Sequence, residues 1–169
     1  MFTEVATTDV LREVRAYDFE TEPVHEFGAS RIDAITALDR VIRAAQAEQL
    51  AQIAALHAER VQLQGIHRGD PTLSVIGEVG MARNIGPTAA GTQVGVALRL
   101  EQLPRVQDLF AAGQISEPVV RAVVNESVSL GADDLVVLDG EIAPLLPGLT
   151  ARQAGRLTAR AMEPSQRGA

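Results

Sequence analysis

Residues 30–64 read SRIDAITALDRVIRAAQAEQLAQIAALHAERVQLQ, and the reading of this stretch decides the fold. Ile32, Ile35, Leu38, Ile42, Ala45, Ile53, Leu56 and Leu63 follow spacings of three and four for most of its length, the period of an amphipathic helix. Ser30 opens the run with Asp33 three residues later, in the manner of an N-terminal cap, and Gly65 stops it. Such a helix spans about 34 residues, or roughly 50 Å at 1.5 Å per residue, longer than most domains of this size require. Its seam is close to a heptad, which makes Ile35, Leu38, Ile42, Ile53 and Leu56 candidates for a self-association seam. The competing reading makes it the central helix of a monomeric core.

The rest of the chain breaks into shorter helical segments. Asp70-Pro71 marks a second start, a helix over 72–83 follows, and Asn84-Ile85-Gly86 breaks it before a new start at Pro87. Val94, Val96, Leu98 and Leu100 alternate as in a strand, and Gly91 and Gly95 each cost a helix about 1 kcal/mol against Ala, so helix and strand both stand there. Leu103-Pro104 opens a short helix ending at Gly113. Ser116 caps the next, in which Val119, Val120, Val123, Val124 and Val128 form one apolar stripe up to Gly131. Residues 132–143 form another, closed by the turn from Pro144 to Gly148. Thr150 to Gln153 is a capping box for a last helix that Pro164 ends. The expected fold is all-α, a compact bundle of about seven helices with one long N-terminal helix. An acidic flexible arm at 1–29 precedes the helical domain at 30–163, and a tail at 164–169 follows it.

Composition agrees with this architecture. Of the 169 residues 46% are hydrophobic but only 3% aromatic, with no Trp, so the core is built from Ala, Leu, Val and Ile. All 15 basic residues are Arg, a bias that a GC-rich genome also produces. The absence of Cys excludes disulfides and thiolate metal sites. No apolar run approaches the roughly 20 residues of a membrane helix and no signal peptide is evident, so a cytoplasmic location is expected. The net charge of −7 opposes nucleic-acid binding except at a local basic face, and only the Arg-rich stretch after residue 150 offers one.

Three pieces carry a family resemblance: EVGMARNIGPTAAG (78–91), LRLEQLPRVQDLFAAGQISEPVVRAVVNES (98–127) and LPGLTARQAGRL (146–157). Together with the long helix they make residues 30–163 resemble the actinobacterial domain of unknown function 222, also called the 13E12 repeat family. The middle piece is the most specific. The resemblance implies helix at 93–100. It also implies an association with DNA-processing proteins, because the helical region of that family usually lies ahead of an HNH nuclease domain. The chain ends soon after Pro164, so a nuclease domain is expected to be missing from it. GTQVGVALRL (91–100) lacks the Arg-rich character expected of the family, which weighs against a DNA role for that helix.

The residues offer little chemistry of their own. HNH catalysis needs a His to activate water and a divalent metal to stabilise the leaving oxygen, and His25, His57 and His67 are scattered without metal-ligand spacing. No catalytic residue, cofactor, metal or small-molecule ligand is therefore expected. Gly80, Asn84, Gly86 and Ala90 fall at offsets resembling a helix-turn-helix, with Asn84 suited to a left-handed turn. The second helix offers only Thr88, Thr92, Gln93 and Arg99 as polar readers, so an ordinary helical hairpin is the better reading. Glu126, Asp133, Asp134, Asp139 and Glu141 lack the spacing of a calcium loop and read as a solvated face. Gly91 and Gly95 are weak evidence for close helix approach. Arg152, Arg156 and Arg160 share one helix face and, with Arg99, are candidate contacts for nucleic acid or an acidic partner. A charged outer face, or intramolecular pairing with the acidic 126–141 region, is the alternative. The expected role is a non-catalytic interaction or scaffold domain that contacts a protein partner or a second copy, with DNA targeting as the second reading and a truncated nuclease as the third.

Overall fold

The structure, a computed structural model, describes residues 31–63 and 69–163. The expected arm and tail, and with them Ser30, His25, Gly65 and His67, lie outside the described residues. Among these residues are seven α-helices and no strand: α1 Arg31–Gln62, α2 Pro71–Arg83, α3 Pro87–Leu100, α4 Pro104–Ala111, α5 Glu117–Glu126, α6 Ala132–Ile142 and α7 Ala151–Met162. Single 3-10 turns at Ser127–Ser129 and Ala143–Leu145 follow α5 and α6.

Local chemistry sets the boundaries. Pro71, Pro87 and Pro104 open their helices, where a missing N–H costs nothing. Asp70 caps α2 by accepting the Thr72 N–H at 2.8 Å. The capping box of α7 is present in both directions, Thr150 N–H donating to Gln153 Oε1 at 2.9 Å. Ser116 occupies the N-cap position of α5, but its side chain makes no capping bond. Helix α5 also ends before Val128, which lies in the 3-10 turn and faces solvent, outside the valine stripe.

Helix α3 sits at the centre, packed on α1, α2, α4 and α5. That enclosure explains the strand-like alternation: Val94, Val96, Ala97 and Leu100 are all buried because neighbours cover several sides of the helix, not one. Val119, Val120, Val123 and Val124 of α5 and Phe110 of α4 fill the core beside it. Helix α7 lies against α5 through small residues. Ala154 and Thr158 are fully buried, and a Cβ at Gly155 would meet Ala122 Cβ at 3.8 Å.

Two helices end in the left-handed conformation, which Gly148 (φ 80°) also adopts in the turn before α7. Asn84 (φ 53°, ψ 48°) ends α2, with Ile85 N–H donating to Gly80 O at 3.0 Å. Gly113 (φ 69°) ends α4 in the same way, with Gln114 N–H donating to Leu109 O and Gly113 N–H to Phe110 O, both at 2.9 Å. Helix α1 crosses directly over this second turn. A Cβ at position 113 would stand 2.6 Å from the Arg40 carbonyl oxygen, and Arg43 Nη1 donates to Gly113 O at 3.4 Å. The Ala-Gly-Gln-Ile-Ser segment is thus the joint on which the long helix rests.

Candidate functional site

The seam residues of α1 fall into two environments. Ile53 is buried and Leu56 half-buried against the core, beside α2. Ile35 and Ile42 are 60% and 55% exposed, Leu38 is half-buried, and Ile32 beside them is 68% exposed. Every buried residue of α1 lies in its second half: Ala47, Leu50, Ile53 and Ala54. From Arg31 to Gln46 no residue is buried, although that half carries Ile32, Ile35, Leu38, Val41 and Ile42.

Where α1 meets α2 the two helices leave an open groove of about 430 Å³. Ile53, Leu56, Val79 and Ala82 line its apolar floor; Gln49, Gln52 and Arg83 stand among its polar walls. The helices are latched beside it. Arg60 donates through Nε and Nη2 to Glu78 at 2.9 and 2.7 Å, and His57 Nε2 lies 3.1 Å from Thr72 Oγ1. The hydrogen bond from Arg60 is the main cause that lowers the Glu78 pKa below the ordinary 4.5, and a bond from Ser74 Oγ at 3.0 Å adds to it against desolvation. His57 therefore has a structural position at this joint. The groove is the feature sequence reasoning missed, because it depends on the angle between two helices and not on either pattern.

The four arginines separate. Arg152, Arg156 and Arg160 are exposed on the face of α7 opposite Ala154 and Thr158, and among the described residues none of the three forms an ion pair. Pairing of this face with the acidic 126–141 region is therefore not seen. Arg99 is placed elsewhere. Its Nη2 donates to the carbonyls of Ser127 and Leu130, the latter at 3.0 Å, and Nη1 donates to Gln102 Oε1 at 3.1 Å. It ties down backbone carbonyls in the turn that follows α5 and does not join the α7 face.

Of the acidic set, Glu126, Asp133, Asp134 and Glu141 are exposed, but Asp139 is not. It is 2% exposed and accepts the backbone N–H groups of Arg105 and Val106 at 2.9 and 3.0 Å. This carboxylate from α6 supplies the N-terminal cap that Leu103 cannot give α4. The solvated-face reading is corrected at this position. A signal was available: Leu135, Leu138, Asp139 and Ile142 are spaced i, i+3, i+4, i+7, which puts Asp139 on the buried stripe. Among the described residues no group of three His, Asp or Glu side chains converges to hold a metal ion.

The 76–94 segment is a hairpin of α2 and α3 with the expected left-handed Asn84. Because α3 is enclosed on several sides, it presents only Thr88 and Thr92 of its four expected readers as exposed residues. Gly91 and Gly95 do not mediate a close approach. A Cβ at Gly91 would make ordinary contact with Ile76 at 3.6 Å, and one at Gly95 would meet nothing. Between α1, α3 and α5 lies a small cavity of about 100 Å³ lined in part by Thr92, Gln93, Glu117 and Arg121, where Gln93 Oε1 has no partner. Its size suits a few solvent molecules better than an organic ligand. No described helix is long and apolar enough to cross a membrane.

No curated protein and no solved structure shows significant similarity to the chain. A family model does: that of the domain of unknown function DUF222, matching residues 38–165. The match starts within α1, past its first two turns, and takes in α2 through α7. It includes the Gly113 joint, the Asn84 turn and the capping box of α7, and on it the chain belongs to the DUF222 family.

Proposed function

We propose that this chain is a non-catalytic interaction module whose contact surface is the N-terminal half of α1 together with the adjoining α1/α2 groove. The observation that carries this reading is the unburied first half of α1, with its run of isoleucines. Fully burying an isoleucine is worth about 1.5–3 kcal/mol, so Ile35 and Ile42, each more than half exposed, leave roughly 1–2 kcal/mol apiece unrealised. A helix with this much apolar surface gains from being covered. The family resemblance makes an HNH nuclease domain one protein for such a module to position.

The test compares wild-type chain with the Ile35→Glu/Ile42→Glu double variant. Both positions are exposed, so thermal stability should hold. Association with itself, seen by sedimentation, or with an added HNH nuclease domain of a family member, seen by calorimetry, should be lost together with the isoleucines. Association that survives both substitutions would sink this reading.

A second reading, a DNA-targeting module, has the exposed and unpaired Arg152, Arg156 and Arg160 in its favour. It requires duplex binding that weakens steeply with salt and disappears when the three are replaced by Ala. Anisotropy of labelled duplex at two salt concentrations decides it.

A further inference from the structure

We infer that the partner covering the α1 surface is a second copy of this chain, paired antiparallel through α1 about a two-fold axis at Ala45. The inference rests on the interaction-module reading and names its occupant.

At 3.6 residues per turn, Ile35, Leu38, Ile42, Ala45, Gln49 and Leu56 fall, with Gln52, within an arc of about 100° on one side of α1. The spacing alternates three and four throughout. All seven are exposed or half-buried in the single chain, and none is charged. Their positions, though not their residue types, reverse onto one another to within one residue about Ala45: offsets of 3, 7 and 10 on one side meet 4, 7 and 11 on the other. Reversing a second helix over the first places Ala45 on its own copy, Ile42 over Gln49, Leu38 over Gln52 and Ile35 over Leu56. Each layer is then made twice, as a closed two-fold interface requires. The stripe is roughly 30 Å long at 1.5 Å per residue. Alanine at its centre lets the two helices approach to about 8 Å, the close end of helix packing.

The surroundings select the antiparallel direction. The second half of α1 has α2 beside it and an open groove between them; the first half has exposed isoleucines and no buried residue. Antiparallel pairing lays each bare half along the other copy's groove, where Ile35 and Leu38 reach the floor formed by Ile53 and Leu56. Parallel pairing would bring the two α2 helices together at one end and leave both bare halves facing each other. In these layers Gln49 and Gln52 face aliphatic side chains, which costs affinity unless their amides stay turned to solvent at the rim. A contact of this length falls short of the roughly 800 Å² per partner of a standard interface unless the α2 wall joins it. Association in the micromolar range is expected.

The chain has no Cys, so single-cysteine variants of the whole protein report pairing without background. Ala45→Cys should give a disulfide-linked dimer under mild oxidation, because the two-fold axis brings the residue to its own copy. Ile35→Cys and Leu56→Cys should cross-link to each other when mixed and not to themselves. Sedimentation should show a concentration-dependent dimer that Ile42→Glu weakens roughly tenfold or more. A monomer at high micromolar concentration overturns the inference, and so does a dimer in which Ala45→Cys does not cross-link. A monomeric Ala45→Cys variant whose thiol resists alkylating reagents assigns the stripe to an intramolecular cover, which also overturns it. In either monomeric case, binding of the HNH domain that is lost on replacing Ile35 and Ile42 keeps the interaction-module reading standing; no effect of those substitutions on any contact removes both.

Discussion

Replacing Gly113 with Ala should destabilise the domain by about 2–5 kcal/mol, a large change for one methyl group. Two causes add. The backbone at 113 has φ 69°, a conformation that costs an L residue about 1–2 kcal/mol. The new Cβ would also stand 2.6 Å from the Arg40 carbonyl oxygen, well inside ordinary contact distance. That oxygen belongs to the α1 backbone, which cannot rotate away without disturbing its own helical hydrogen bonds, so α1 must lift from the α4–α5 turn. Overpacking of this kind costs about 1–3 kcal/mol. At about 2–4 °C per kcal/mol for a domain of this size, the midpoint should fall by roughly 4–20 °C. Gly95→Ala is the internal control. It lies in the middle of α3 with nothing within 4 Å of its added Cβ, and should stabilise by about 0.5–1 kcal/mol through helix propensity. Urea titration of both variants, with circular dichroism as the readout, gives the two signs. If Gly113→Ala unfolds at the wild-type midpoint while Gly95→Ala rises as expected, Gly113 is not the joint on which α1 rests.

Two further substitutions address the polar contacts. Asp139→Ala removes the acceptor for the Arg105 and Val106 N–H groups in a buried setting and should cost about 2–4 kcal/mol in urea unfolding, far more than Asp133→Ala on the exposed first turn of the same helix. Equal costs at the two positions would refute the cap. Glu78 has a lowered folded pKa, so its contribution is present above the ordinary 4.5 and is lost as pH falls through the folded value. The stability gap between wild type and Glu78→Gln should therefore narrow between neutral pH and pH well below 4.5, while Arg60 stays charged; a gap that widens on acidification contradicts the pairing.

What the sequence made legible was the part encoded by local rules. The period of three and four located α1, while the prolines and capping residues placed the helix starts, Asp70 and the capping box of α7 included. Asn84 was readable as a left-handed turn because its side chain tolerates that region and its neighbours change period there. The alternation at 94–100 kept strand open beside helix for a tertiary reason: a helix covered on several sides shows no single apolar stripe. Asp139 and Arg99 were read as surface charges because sequence shows a charge without showing the backbone groups it serves. Both of their partners lie at helix ends some thirty residues away, Arg105 and Val106 for one and Ser127 and Leu130 for the other. Only the i, i+3, i+4, i+7 spacing around Asp139 carried a trace of its burial.

The segment from Leu98 to Ser127, the longest of the three that carry the family resemblance, serves architecture. It contains the closing end of α3, the Pro104 start that Asp139 caps, the Gly113 joint under α1 and the valine face of α5. A motif of this kind marks a chain because few sequences satisfy so many backbone constraints at once, not because it bears reactive groups. It follows that function in this domain is to be sought where those constraints are absent. Two such places on the described surface are the outer face of α7, built on small residues that leave its arginines free of packing duties, and the first half of α1, which extends past the Gly113 joint with its isoleucines uncovered. Only the second combines an apolar stripe with an adjoining groove, and on that combination the proposed protein partner rests.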